Sequence, residues 1–84
     1  MQMYAMIGVK QTKLKSVLSM IRQSKFIKNV NTVYGEYDIV AELSARNSSI
    51  SNNFLKQLKE ADGVNTLKTF IVSDSLNENK GIFS

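Results

Sequence analysis

The chain has 84 residues, enough for one domain with a single core and too few for a second folded module. With 43% hydrophobic and 21% charged residues and a net charge of +4, it has the composition of an ordinary globular protein. It contains no cysteine and no histidine, which excludes disulfides, thiolate nucleophiles, imidazole bases and nearly every zinc, copper or haem site. We therefore expect no catalytic residue, no metal site and no cofactor.

The hydrophobic pattern gives no sign of a membrane segment. The longest apolar runs, such as residues 3–9, are far shorter than the roughly 20 residues that span a bilayer. The amino terminus also lacks the basic-then-apolar order of a signal peptide. We expect a cytoplasmic protein that does not enter membranes.

The chain begins with a predicted strand and a predicted helix. Residues 3–9 form an uncharged apolar run that is typical of a strand covered on both faces, β1. From Leu14 onward, apolar residues recur at i, i+3, i+4 and i+7, which predicts an amphipathic helix, α1, over about residues 13–24. Thr12 is the predicted N-cap of this helix.

A predicted hairpin follows. Residues 30–34 are rich in β-branched and aromatic side chains, and residues 37–43 alternate in polarity, which predicts strands β2 and β3. Gly35 lies between the two runs. It predicts a tight turn, because glycine adopts positive φ without a steric penalty.

A second helix and a last strand complete the pattern. Ser48 and Ser49 are predicted caps for a helix, α2, in which apolar residues recur at i, i+4, i+8 and i+11 from Ile50. Gly63 is expected to end it, because glycine tolerates the left-handed conformation found beyond helix ends. Residues 64–72 are the predicted strand β4.

The order of elements predicts one α+β domain over residues 1–73, followed by a polar tail over residues 74–84. Each helix separates two strands by a connection that is long enough for a crossover, so the chain forms two βαβ halves. This is the ferredoxin-like βαββαβ sandwich, with an antiparallel four-stranded sheet and both helices on one face.

The other face of that sheet has nothing in the chain to cover it. In β1, Tyr4 and Met6 alternate with Ala5 and Ile7, and β4 is apolar on both faces in the same way. An exposed apolar patch of this kind generally marks an interface. We predict a homodimer that packs sheet to sheet and can grow into larger symmetric assemblies.

One segment resembles a known family. The Lrp/AsnC (leucine-responsive) transcription regulators have a hairpin similar to Val33-Tyr34-Gly35-Glu36-Tyr37-Asp38-Ile39-Val40. Their ligand-binding module, the RAM (regulation of amino acid metabolism) domain, carries a Gly-x-Tyr/Phe-Asp signature there, matched by Gly35, Tyr37 and Asp38. The resemblance covers about residues 3–73.

The resemblance implies a non-catalytic effector-binding module linked to transcriptional regulation. It implies dimerisation as a dimeric α/β barrel, assembly into rings such as octamers, and amino acids bound where dimers meet. Full-length members begin with a helix-turn-helix domain, whereas here Met1 stands directly before β1. We therefore expect no direct DNA binding by the family's route; the implied partners are a second copy, an amino-acid effector and full-length regulators.

The candidate ligand-binding residues lie in the hairpin, at Gly35, Glu36, Tyr37 and Asp38, and on β4, where Thr66 and Thr69 could supply hydroxyls to a pocket but are ordinary strand residues by default. Asp38 has two possible roles, either accepting hydrogen bonds from backbone amides after the turn or pairing with a ligand ammonium. The backbone N–H groups of Gly35 and Glu36 are candidates for binding a ligand carboxylate. Tyr34 and Tyr37 are interpreted as packing residues, because half-buried aromatic residues are common in strands.

Two alternatives stand beside the sensor hypothesis. One is a pure interaction protein that joins full-length regulators and has lost ligand binding. The other is nucleic-acid binding through Lys15, Arg22 and Lys25 on and beside α1, although such a row is usually a solvated face. The basic charge is concentrated early in the chain, because residues 1–35 carry six basic residues and no acidic one.

Overall fold

The computed structural model describes residues 2–72, so the predicted tail lies outside the described residues. The elements in chain order are β1 Gln2–Val9, a 3-10 turn Gln11–Lys13, α1 Leu14–Arg22, β2 Ile27–Thr32, β3 Ile39–Ser44, α2 Ser48–Glu60 and β4 Val64–Val72. The strands form one antiparallel sheet in the order β2-β3-β1-β4. The predicted ferredoxin-like fold is confirmed.

The core lies between one face of the sheet and the two helices. Along β1, Met3, Ala5 and Ile7 are at most 2% exposed, and β3 places its own apolar residues opposite them in the same register. The stripes predicted on the helices face this layer and supply its buried helical side chains, which are Val17, Leu18, Ile21, Phe54 and Leu58. Burial of these stripes, rather than intrinsic helix propensity, holds both short helices in place.

The connection between β2 and β3 differs from the predicted tight turn. β2 ends at Thr32 and β3 begins at Ile39, so a loop of six residues joins them. The hydrogen bonds between β2 and β3 stop before the turn. Val33 N–H still donates to the carbonyl of Asp38, but Asp38 N–H donates to the carbonyl of Ile7 on β1 and not to β2. Gly35 does have the expected positive φ, at +130°.

Both predicted helix caps are wrong. The N-cap of α2 is Asn47, whose side-chain oxygen accepts a hydrogen bond of 3.0 Å from Ile50 N–H, rather than Ser48 or Ser49. Thr12 lies inside the 3-10 turn, and neither that turn nor α1 has a side-chain cap. α1 nevertheless begins at Leu14, where the apolar stripe begins, and it ends at Arg22, two residues before the predicted end.

The start of α1 is tied to the end of α2. Gly63 has φ of +95°, as expected for a residue beyond a helix end, and its carbonyl accepts a hydrogen bond from Lys10 N–H. The Lys13 ammonium lies 2.9 Å from an oxygen of Asp62, and its hydrogen bond and positive charge lower the pKa of Asp62. Both side chains are substantially exposed, so the backbone contact is the firmer link.

The sheet face opposite the helices, called the outer face below, is only partly polar. Its apolar members are half-buried or exposed, and they are Tyr4, Met6, Val40, Phe70 and Val72. The two-sided apolar pattern predicted for β1 and β4 is thus confirmed. No helix within residues 2–72 is long and apolar enough to cross a membrane.

A first prediction separates the observed cap from the predicted ones. We expect Asn47→Ala to lower the free energy of unfolding by about 1 kcal/mol, because it removes the acceptor for Ile50 N–H. The matched control Ser48→Ala should change it by less than about 0.5 kcal/mol. Urea denaturation of the two variants measures the difference, and equal losses would contradict the assignment of the cap.

A second prediction concerns close packing between β1 and β4. A Cβ added at Gly8 would lie 2.3 Å from Thr66 Oγ1, so Gly8→Ala should force Thr66 out of its rotamer and cost roughly 1–2 kcal/mol. Thr66→Ala removes the clashing oxygen and should restore most of that loss in the double variant. Thermal unfolding of both single variants and the double variant tests this; equal instability with and without Thr66→Ala would refute it.

Candidate ligand-binding site in the β2–β3 loop

Asp38 is the anchor of the loop that carries the Gly-x-Tyr-Asp signature. Its Oδ2 accepts a hydrogen bond of 2.8 Å from the backbone N–H of Val9, at the end of β1. Its Oδ1 accepts a longer one, 3.3 Å, from Gln11 Nε2. The first role considered for Asp38, as an acceptor for backbone amides, is therefore confirmed, and its ligand role stays a prediction.

The tip of the loop is exposed. Gly35 and Glu36 are both accessible, and a Cβ added at Gly35 would meet no atom within 4 Å. The glycine is thus required by its backbone conformation and not by lack of space. Tyr34 is fully exposed at 106%, so its interpretation as a packing residue is wrong, whereas Tyr37 is half-buried as expected.

A small open cavity lies beside the anchor. Its volume is about 220 Å³, and its lining residues are Gln11, Leu14, Thr32, Val33, Tyr34 and Asp38. Binding sites that enclose a small molecule usually measure about 300–1,000 Å³. The cavity combines an apolar wall with one carboxylate, which is the chemistry needed to hold an ammonium group beside a hydrocarbon side chain.

The two predicted threonines lie on opposite faces of β4. Thr66 pairs with Gly8 and projects from the outer face, whereas Thr69 pairs with Ala5 and projects from the helix face. Thr69 lines a separate cavity of about 360 Å³ between α2 and β4. One cavity of a single protomer therefore cannot contain both hydroxyls.

Three neighbours of Asp38 in this cavity are not evident from the sequence pattern: Gln11, Leu14 and Thr32. The position of Gln11 could have been inferred from the topology, because antiparallel pairing of β1 with β3 places the end of β1 beside the start of β3. Leu14 belongs to the apolar stripe of α1, and that stripe does not indicate that Leu14 also lines the cavity beside Asp38. Within residues 2–72, no three Asp, Glu, His or Cys side chains cluster in a way that would hold a metal ion.

A third prediction separates the structural role of Asp38 from any role in binding. Asp38→Ala leaves the partly buried Val9 N–H without its acceptor and should lower the free energy of unfolding by about 1–3 kcal/mol. Asp38→Asn keeps an oxygen acceptor and should retain most of the stability. The exposed Glu36→Gln is the control, and equal melting temperatures for all three variants would disprove the anchoring role.

Comparison with known proteins places these features in a family. The family model of the Lrp/AsnC ligand binding domain matches residues 2–82. An uncharacterized HTH-type transcriptional regulator of Pyrococcus horikoshii, PH1692, is 33% identical over 76 residues, which cover 88% of this chain and 51% of that protein. The chain spans about half the length of the curated relatives that it matches.

Solved structures share the fold at low sequence identity. The crystal structure of FFRP-DM1 is 16% identical and has a TM-score of 0.81, with 86% of this chain and 97% of that chain covered. The Neisseria meningitidis regulator NMB0573, solved with L-Met, is 15% identical and has a TM-score of 0.75, with 86% of this chain and 49% of that chain covered. The match of the family model across most of the sequence shows that this chain belongs to the family of Lrp/AsnC ligand-binding domains, the effector-binding modules of transcription regulators.

Proposed function

We propose that this domain senses an amino acid or a closely related small molecule and responds through its state of assembly. The observation that carries the proposal is the position of the signature carboxylate: Asp38 lines an open cavity with one of its oxygens only weakly bonded. Membership of a family of ligand-binding domains supports a ligand at this domain. The Neisseria regulator solved with L-Met supports the amino-acid class.

The two oxygens of Asp38 suggest how a ligand and the fold share one carboxylate. Oδ2 accepts a hydrogen bond of 2.8 Å from Val9 N–H, whereas Oδ1 accepts a longer one of 3.3 Å from the exposed amide of Gln11. In the proposal, the ligand ammonium donates a charge-assisted hydrogen bond to Oδ1, and the Gln11 amide then binds the polar atoms of the ligand. The apolar side of the cavity, which includes Leu14, contacts the ligand side chain.

The limited cavity and the exposed loop tip support a site that a second subunit completes. The cavity is open to solvent, and its volume of about 220 Å³ lies below the roughly 300–1,000 Å³ that is usual for enclosed ligand sites; Tyr34 beside it is fully exposed among residues 2–72. In the proposal, copies dimerise through the apolar outer face and are joined into rings, such as octamers, by contacts at the loops. Ligand binding between subunits then shifts the balance of assemblies.

The proposed module is not an enzyme. It works in the cytoplasm, and it acts on DNA through other proteins, such as full-length relatives with which it forms mixed assemblies. Its family comprises ligand-binding domains of transcription regulators, which supports a non-catalytic role. Nucleic-acid binding through Lys15, Arg22 and Lys25 is less favoured, because these side chains show only exposure and positive charge, and such a row is usually a solvated helix face.

A fourth prediction tests ligand binding directly. Isothermal calorimetry with the twenty amino acids should reveal at least one ligand, and Asp38→Asn should weaken its binding by about tenfold or more, because the charge-assisted bond is lost. Asp38→Asn is preferred to Asp38→Ala because the amide preserves the contact with Val9 N–H. Glu36→Gln, which removes one exposed charge two residues away, should bind within about threefold of the wild type.

Absence of binding to the whole panel by a folded, assembled protein would refute the amino-acid sensor. The alternative is then a pure interaction protein, which the apolar outer face favours independently of the loop cavity. Its test is co-purification with a full-length Lrp/AsnC regulator in the absence of any ligand. Failure of that experiment as well would leave self-assembly as the module's remaining proposed property.

A further inference from the structure

A second cavity, called the helix-end cavity below, opens between the end of α1 and the first half of α2. Its volume is about 480 Å³, compared with about 220 Å³ for the cavity beside Asp38. The larger value lies within the roughly 300–1,000 Å³ that is usual for ligand sites. The two cavities share no lining residue and lie at opposite ends of α1, a helix of nine residues and about 13 Å.

The wall of the helix-end cavity is apolar. Its apolar side chains are Met20 on α1, Phe26 before β2, and Ile50 and Phe54 on α2. Phe54 is buried in the core, whereas the other three are half-buried and keep part of their apolar surface in water. A hydrocarbon group that covers this surface would gain hydrophobic free energy, and methionine adapts its shape to such a group.

The rim of the cavity is polar and has a single charge. Asn53 and Gln57 lie one turn apart on α2, both are exposed, and neither side chain has a hydrogen-bond partner within residues 2–72. Lys25 is the one charged residue among those that line the cavity. It forms no salt bridge within the described part of the chain.

The backbone on both sides of Lys25 is held by hydrogen bonds. Ser24 N–H donates to the carbonyl of Ile21 at 3.0 Å, and Phe26 N–H donates to Ser24 Oγ at 3.2 Å. The carbonyl of Phe26 accepts a hydrogen bond of 2.8 Å from Ser44 N–H, at the end of β3. The fold therefore fixes this segment before any ligand binds, which lowers the entropy that binding costs.

We propose that the helix-end cavity binds a small carboxylic acid with an alkyl or aryl tail. The carboxylate pairs with Lys25, and the tail packs against the apolar wall at Met20 and Ile50. One ammonium group matches one negative charge, and the neutral amides of Asn53 and Gln57 can donate to carboxylate oxygens. A phosphate monoester matches the rim less well, because it carries nearly two negative charges.

The helix-end cavity has the opposite charge preference to the cavity beside Asp38. No acidic residue lines it, so a ligand ammonium would meet Lys25 without any counter-charge. A zwitterionic amino acid is therefore disfavoured here, whereas the carboxylate of Asp38 favours an ammonium at the other cavity. The inference thus adds a second ligand class and does not depend on the amino-acid site.

Three probes with the same hydrocarbon test this preference: phenylbutyrate, phenylbutanol and phenylbutylamine. Each is titrated into the isotopically labelled full chain at low ionic strength and followed by NMR. Phenylbutyrate should bind about fivefold or more tightly than the alcohol, and the amine should bind most weakly. The amide signals of Ser24, Phe26 and Asn53 should shift, whereas those of Gly35 and Asp38 should not.

Charge-removing variants identify the group that binds the carboxylate. Lys25→Gln should weaken phenylbutyrate binding about fivefold or more and leave phenylbutanol binding within about twofold. Lys28→Gln removes the same charge from an exposed residue of β2 that does not line the cavity, and it should bind phenylbutyrate within about twofold of the wild type. Circular dichroism confirms that both variants are folded.

Asp38→Asn separates this inference from the proposed amino-acid site. It should weaken amino-acid binding and leave phenylbutyrate binding unchanged, so either site can fail without the other. Absence of amide shifts at millimolar phenylbutyrate, or shifts confined to residues outside the cavity, would overturn the inference. Equal affinity for the three probes, or equal losses in Lys25→Gln and Lys28→Gln, would also overturn it.

Discussion

The pairing of β1 with β3 on one side and with β4 on the other is the constraint on which the rest of the structure depends. Side chains alternate between the faces of a sheet, so this register assigns each residue of the three strands to the core or to the outer face. It puts Met3, Ala5 and Ile7 under the helices at no more than 2% exposure. A slip of one residue would exchange the two faces and bring Tyr4 and Met6 into the core.

The same pairing decides where the signature aspartate lies. Because β1 and β3 are antiparallel, the residues that follow β1 meet the residues that precede β3, and Asp38 reaches Val9 and Gln11 there. The carboxylate thus holds the loop against the central strand. A ligand that binds Oδ1 would contact the same carboxylate that holds the loop against β1. In the proposed sensor, ligand binding would therefore act directly on the position of the loop.

The outer face and the loop cavity are both open to solvent within residues 2–72. The sheet leaves Phe70 46% exposed, and the loop leaves Tyr34 wholly exposed beside a cavity of about 220 Å³. Exposed apolar surface is costly in water, and a partly enclosed ligand loses affinity to solvent. Both features support the proposal that the domain functions in an assembly.

The order of elements, the apolar stripes of both helices, the two-sided character of β1 and the need for positive φ at Gly35 and Gly63 can all be read from the amino-acid sequence. These features follow from periodicity and from the chemistry of single residues, which are local properties. The predicted bounds of β4, residues 64–72, are also confirmed, because the strand begins directly after Gly63.

Three features could not be read from the sequence pattern: the length of the β2–β3 loop, the cap at Asn47 and the hydrogen-bond partners of Asp38. In each case a hydrogen bond competes with a neighbouring choice of similar local propensity: Asp38 N–H bonds β1 rather than β2, and Asn47 rather than Ser48 bonds Ile50 N–H. The separation of Thr66 from Thr69 likewise follows from strand parity once β4 is placed beside β1. The loop length, the neighbours of Asp38 and the separation of the two threonines depend on which strands are neighbours, and that is set by burial of the whole core rather than by any short stretch of sequence.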